Sequence, residues 1–97
     1  MRDIEGKVAF ITGAASGMGL GMTKAFTKAG MKVMMADIDE KRLQAAAADL
    51  KARGADVDTL RCDITIEDSV FAAAAATVKR FGTVHVLCNN AGVSVGG

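Results

Sequence analysis

Three glycines, Gly13, Gly17 and Gly19, stand in the stretch FITGAASGMGLGM from Phe10 to Met22, between a strand-forming run and a helical pattern. The first turn of a helix carries unpaired N–H groups and a partial positive charge, so it attracts phosphate. A pyrophosphate reaches that turn only where the chain bends sharply after the strand and no Cβ blocks the approach. Ser16 adds a hydroxyl suited either to a phosphate oxygen or to capping the helix. The spacing Thr12-Gly13-x-x-x-Gly17-x-Gly19 is specific. A G-x-G-x-x-G fingerprint would need glycine at position 22, which is Met22, and a Walker sequence would need a Gly-Lys pair where Met18 stands. The plain alternative is a glycine-rich turn without a ligand, although an ordinary strand-to-helix turn rarely needs three.

Asp37 lies 18 residues after Gly19, where an acidic side chain accepts hydrogen bonds from the hydroxyls of an adenosine ribose. It would repel a 2′-phosphate, which favours NAD over NADP. Positions 14–16 hold no Lys or Arg, and Ile38 follows the aspartate. Lys41 and Arg42 come a turn later, so the preference is not strict. A strand-end aspartate beside a helix start is the simpler alternative. Asp63 in CDIT and Asn90 in NNAG also close strand-like runs. Four sequence-distant positions, Gly13, Asp37, Asp63 and Asn90, would then converge on the carboxyl rim of one sheet, where ligands of doubly wound folds bind.

The elements that must position them alternate regularly. KVAFIT (7–12), KVMMAD (32–37), VDTLRCD (57–63) and VHVLCN (84–89) read as short strands, three of them almost continuously apolar, as strands covered on both faces are. The third is more polar and suits an edge. Helical stripes lie between them. Met18, Met22, Ala25, Phe26 and Ala29 form the first, with Thr23, Lys24, Thr27 and Lys28 on the opposite face. Leu43, Ala46, Ala47 and Leu50 form the second, with Asp39 as N-cap, and Val70, Phe71, Ala74, Val78 and Phe81 form the third. Gly30, Gly54 and Gly82 end the three helices. Thr65 and Asp68 resemble a capping box before the third. The alanine runs at 45–48 and 72–76 fit helices lying close on a sheet.

The order β-α-β-α-β-α-β implies an α/β fold, a Rossmann-type doubly wound parallel sheet with right-handed crossovers and strand order 3-2-1-4. Residues 1–97 form one domain without linker or internal boundary. Cys62 and Cys88 then fall on opposite edges, about 14 Å apart, too far for a disulfide.

Composition narrows the function. The chain has 97 residues, 51% apolar, with a net charge of +1 from interspersed charges. That suits a small folded core and does not suit a nucleic-acid or membrane surface. No signal peptide or membrane span is legible, so a cytoplasmic location is expected.

Together Thr12-Gly13-Ala14-Ala15-Ser16-Gly17-Met18-Gly19, Asp37, Asp63-Ile64-Thr65 and Asn89-Asn90-Ala91-Gly92 resemble the classical short-chain dehydrogenase/reductase family, over nearly the whole chain. The resemblance implies an NAD(P)-dependent oxidoreductase acting on a small alcohol or carbonyl compound. In that family Gly13 to Gly19 hold the pyrophosphate, with Ser16 and the Met18 amide touching cofactor. Asp37 and the adjoining Ile38 meet the ribose, Asp63 and Ile64 recognise adenine, and Asn90, Ala91 and Gly92 line the cofactor floor. His85 stands where the family commonly has an aspartate and reads as structural or solvent-exposed, and Cys88 replaces a typical valine.

Family members perform acid/base chemistry with a Tyr-x-x-x-Lys pair that follows NNAG. This chain has no tyrosine and runs only five residues past that motif, so no catalytic residue is expected within it. It reads as the N-terminal, cofactor-binding half of a longer enzyme, inactive alone, that associates with the remaining half or forms a homo-oligomer. The alternative is a non-catalytic dinucleotide-binding or assembly module. A methyltransferase-like Rossmann protein fits less well, because NNAG has no role there.

Overall fold

The computed structural model describes residues 5–63 and 66–89. Seven elements alternate: β1 (Val8–Thr12), α1 (Gly17–Lys28), β2 (Lys32–Asp37), α2 (Glu40–Ala52), β3 (Val57–Arg61), α3 (Glu67–Phe81) and β4 (Val86–Asn89). The four strands form one parallel sheet in the order β3-β2-β1-β4, as the sequence predicts. The polar third strand lies at an edge and is only partly covered.

Alternation along the central strands divides the core between the two faces of the sheet. Ala9, Ile11, Val33 and Met35 point to one face, where Leu43, Ala47 and Leu50 of α2 and Met22 and Phe26 of α1 cover them. Phe10, Met34 and Ala36 point to the other, where Ala73, Val70 and Phe81 of α3 meet them. Burial of each large side chain in these layers stabilises the fold by about 1.5–3 kcal/mol.

In α1 and α3 the buried face is rotated from the predicted apolar stripe: Met22, Phe26, Val70 and Phe81 pack against the core as expected, but the stripe's other members do not all do so. In α1 the wholly buried positions are Gly19 and Thr23, while Met18 and Ala25 are exposed. In α3 they are Ala73 and Thr77, while Phe71 (65% exposed) and Val78 (45%) face outward. The reason is the same in each. Thr23 donates its hydroxyl to the Gly19 carbonyl at 2.8 Å, and Thr77 donates to that of Ala73 at 2.8 Å. A threonine satisfied by its own preceding turn packs like valine.

The helix ends are set by local contacts. Asp39 caps α2 as expected, accepting from the Arg42 amide at 3.1 Å. The N-cap position of α3 is Ile66, with no side-chain cap, and the capping box expected of Thr65 and Asp68 rests on Thr65, which lies outside the described residues. Ser69 instead accepts from the Asp63 amide at 3.1 Å, tying the helix start to the chain after β3. Gly82 closes α3 with φ of +91°.

Candidate functional site

The register of the sheet brings the strand ends into one row. Thr12 pairs with both Ala36 and Asn89, and Asp37 pairs with Arg61. Gly13, Asp37 and Asp63 therefore share the carboxyl rim, as expected from the sequence. Ile64, Asn90, Ala91 and Gly92, the other proposed contacts, lie outside the described residues. Thr12 donates its hydroxyl to the Cys88 carbonyl at 3.4 Å, joining β1 to β4 beside the rim.

The loop from β1 into α1 takes its shape from the glycines. Gly13 and Gly17 have φ of +63° and +60°, in the left-handed region where a Cβ is costly. Gly19 has a different constraint: a Cβ there would lie 2.6 Å from the Gly13 carbonyl carbon and 3.1 Å from Ala14 Cα. The first turn of α1 thus packs directly on the loop backbone. A Cβ at Gly17 would meet nothing within 4 Å, so the approach in front of the helix is open. Gly21, the fourth glycine of the stretch, is exposed, and a Cβ at that position would meet nothing within 4 Å, so close helix–sheet packing does not account for it.

Ser16 occupies the N-cap position in extended conformation, yet its side chain does not cap the helix. The first turn of α1 also contains no acidic residue. Its amides therefore lack side-chain acceptors at the end that attracts anions. An open front, an uncapped helix start and glycine at positions 13, 17 and 19 suit a pyrophosphate group.

Asp37 is bound on three sides. Its Oδ2 accepts from the Ala15 amide and its Oδ1 from the Asp39 amide, each at 3.0 Å, while its carbonyl accepts from the Cys62 amide at 3.0 Å. An ionised carboxylate offers about four acceptor positions, so these two side-chain bonds leave one on each oxygen. That arrangement suits the two adjacent hydroxyls of a ribose. Arg42, one of the two cations that the sequence places a turn after Asp37, leans on Asp39 at 3.8 Å. Exposed pairs of this kind are weak. Ile38 is exposed beside Asp37, and Met18 is exposed at the start of α1.

Asp63 is half-buried, with its amide on Ser69 and its carbonyl accepting from the Ile66 amide at 3.0 Å. Burial pushes the Cys88 thiol pKa up, away from the thiolate form that reacts. Cys62 and Cys88 are free thiols, the former buried behind β3 and the latter half-buried in β4. Among the described residues, no group of three His, Cys, Asp or Glu residues is placed to hold a metal ion. No described helix is long and apolar enough to cross a membrane.

Two features are invisible in the sequence. One is the Ala15 amide, whose bond to Asp37 no residue type announces. The other is His85, which is exposed as expected but uses Nδ1 to accept from the Val8 amide at 3.0 Å. A cleft of about 400 Å³ between the C-terminal ends of α1 and α2, with Lys24, Lys28 and Arg53 on its walls, lies away from the glycine loop. Its cations sit where they complement the negative ends of two helix dipoles.

A family profile described as short chain dehydrogenase matches residues 7–97. The 1-deoxy-11-beta-hydroxypentalenate dehydrogenase of Streptomyces exfoliatus is 42% identical over 90 residues, covering 93% of this chain and 33% of that protein. A short chain dehydrogenase/reductase from Burkholderia phymatum, solved in complex with NAD, superposes with a TM-score of 0.86 at 41% identity, covering 90% of this chain and 31% of that one. The apo form of LigO from Sphingobium sp. strain SYK-6 gives a TM-score of 0.90 at 42% identity, covering 100% of this chain and 36% of that one. The chain thus spans about a third of the length of the curated relatives it matches. With the profile, the identities and the strand order all in agreement, the chain belongs to the short-chain dehydrogenase family.

Proposed function

We propose that this chain holds a nicotinamide dinucleotide on the carboxyl rim of its sheet, as the cofactor-binding part of an oxidoreductase acting on alcohols or carbonyl compounds. The observation that carries this reading is the glycine loop. Gly13 and Gly17 lie in left-handed conformation, Gly19 packs against the loop backbone, and an uncapped helix start faces open space.

In this reading Gly13, Ser16, Gly19 and the Met18 amide hold the pyrophosphate at the positive end of α1. Asp37 accepts from the adenosine ribose, with Ile38 flanking it. Asp63 and Ile64 receive adenine, and Asn90, Ala91 and Gly92 form the floor beneath the rest of the cofactor. NAD is favoured over NADP, because a 2′-phosphate would bring negative charge against the Asp37 carboxylate. The NAD complex of the Burkholderia relative supports a nicotinamide dinucleotide as the ligand.

When bound, the nicotinamide supplies hydride exchange with the substrate carbon. This chain's own residues bind and orient the cofactor. None of them is a tyrosine, so they do not themselves supply the family's tyrosine–lysine pair. The outward faces of Phe71 and Val78, with Leu87 (64% exposed) on β4, are apolar surface suited to association with other sequence or with a second copy. A cytoplasmic setting fits two free thiols. The named dehydrogenases among the relatives favour the enzyme over a non-catalytic module.

The test is hydride transfer by the whole encoded protein, read as nicotinamide absorbance with NAD or NADP and a panel of secondary alcohols and ketones. Turnover with NAD is expected, with Asp37→Ala weakening NAD and relaxing discrimination against NADP. No turnover with any pair, together with no NAD binding, overturns the proposal.

A further inference from the structure

Ala15 is buried in the glycine loop, where an amide without a partner is costly. Its partner is the Asp37 carboxylate, at 3.0 Å from Oδ2. The preceding amide, Ala14, donates to the Ala36 carbonyl at 3.0 Å. Two consecutive loop amides are thus fastened to the last two residues of β2, one by backbone and one by a side chain. The other carboxylate oxygen takes the Asp39 amide, and Asp39 caps α2. One side chain therefore spans the loop before α1 and the turn before α2.

We infer that Asp37 is a positioning residue for the phosphate-binding loop as well as a ribose acceptor, so that cofactor selectivity and loop shape depend on one carboxylate. The inference rests on the ribose reading for its second half only. The loop half stands on the Ala15 bond. A hydrogen bond to an ionised acceptor is about twice as strong as a neutral one. With both oxygens tethered, the carboxylate is also held in a single orientation, which preorganises its remaining acceptor positions.

A role confined to ribose recognition makes a different forecast. Pyrophosphate contains no ribose, and removing a nearby negative charge should leave its binding unchanged or tighten it. If Asp37 shapes the loop, Asp37→Ala weakens pyrophosphate binding despite the favourable change in charge. It also lowers affinity for NAD and NADP together, so a selectivity change at this position carries a general loss.

The experiment is amide hydrogen exchange on the isotope-labelled chain, with Ala14 as the internal reference, followed by titration with inorganic pyrophosphate. In Asp37→Ala the Ala15 amide is expected to exchange about tenfold faster or more relative to Ala14, and pyrophosphate affinity is expected to fall. Should that variant not fold, Asp37→Asn retains one acceptor oxygen, and either the Ala15 or the Asp39 amide must then lose protection. Unchanged protection at Ala15 in Asp37→Ala, or at both amides in Asp37→Asn, overturns the inference. So does unchanged or tighter pyrophosphate binding by folded Asp37→Ala. An unaltered preference for NAD over NADP, with Ala15 protection lost, would instead remove the ribose assignment and leave the loop role standing.

Discussion

His85 Nδ1 accepts a hydrogen bond from the Val8 amide at 3.0 Å, and the His85 amide donates to the Val8 carbonyl at 2.9 Å. This double connection joins the entry of β4 to the start of β1, at the end of the strands opposite the glycine loop. The imidazole Nδ1 thus serves as the acceptor for a backbone amide, a role that a carboxylate oxygen could also fill. His85→Ala should therefore cost about 1 kcal/mol, or roughly 4–8 °C in Tm for a domain of this size. His85→Asp restores an acceptor and should lose less. Equal losses in thermal melts of the two variants would argue against an acceptor role.

Gly19 and Gly21 lie on one helix, two residues apart, and should respond oppositely to alanine. A Cβ at Gly19 would press on the Gly13 and Ala14 backbone, which cannot swing aside as a side chain can. Gly19→Ala should destabilise by about 1–3 kcal/mol. At Gly21 there is open space and ordinary helical backbone, so Gly21→Ala should stabilise by about 0.5–1 kcal/mol. Urea unfolding of both variants checks the pair, and a loss at Gly21 would contradict the packing described.

Thr23 tests which face α1 buries. It is 0% exposed, whereas Ala25 faces solvent. Thr23→Lys places an unpaired charge between helix and sheet and should cost about 3 kcal/mol or more. Ala25→Lys should stay within about 0.5 kcal/mol of the parent. Similar stability of the two in chemical denaturation would place the helix in the other orientation.

The fold was legible because strand and helix periods alternate cleanly, and because Gly30, Gly54 and Gly82 mark the helix ends. The glycine spacing and Asp37 likewise pointed to the carboxyl rim, where the sheet register places them together. What residue types could not show was which polar groups find partners within the fold. Thr23 reads as solvent-facing and Thr77 falls outside the apolar stripe, until their hydroxyls are seen on the carbonyls of Gly19 and Ala73. Met18, Phe71 and Val78 read as core for the complementary reason, their apolar character implying burial that the helices do not provide. Gly21 shares a motif with three glycines the loop requires, which suggests a packing role it lacks. The Ala15–Asp37 bond joins a backbone amide to a carboxylate 22 residues away, and no pattern of side chains encodes it.

Titration of the isotope-labelled chain with NAD, followed by backbone amide resonances, tests the central claim most directly. The expected result is saturable, if weak, binding with the largest shifts at Gly13, Ala15, Ser16, Gly17, Met18, Gly19 and Asp37, and smaller shifts with NADP. The absence of saturable shifts at those residues, or shifts centred on the Lys24–Arg53 cleft instead, would contradict dinucleotide binding at the carboxyl rim.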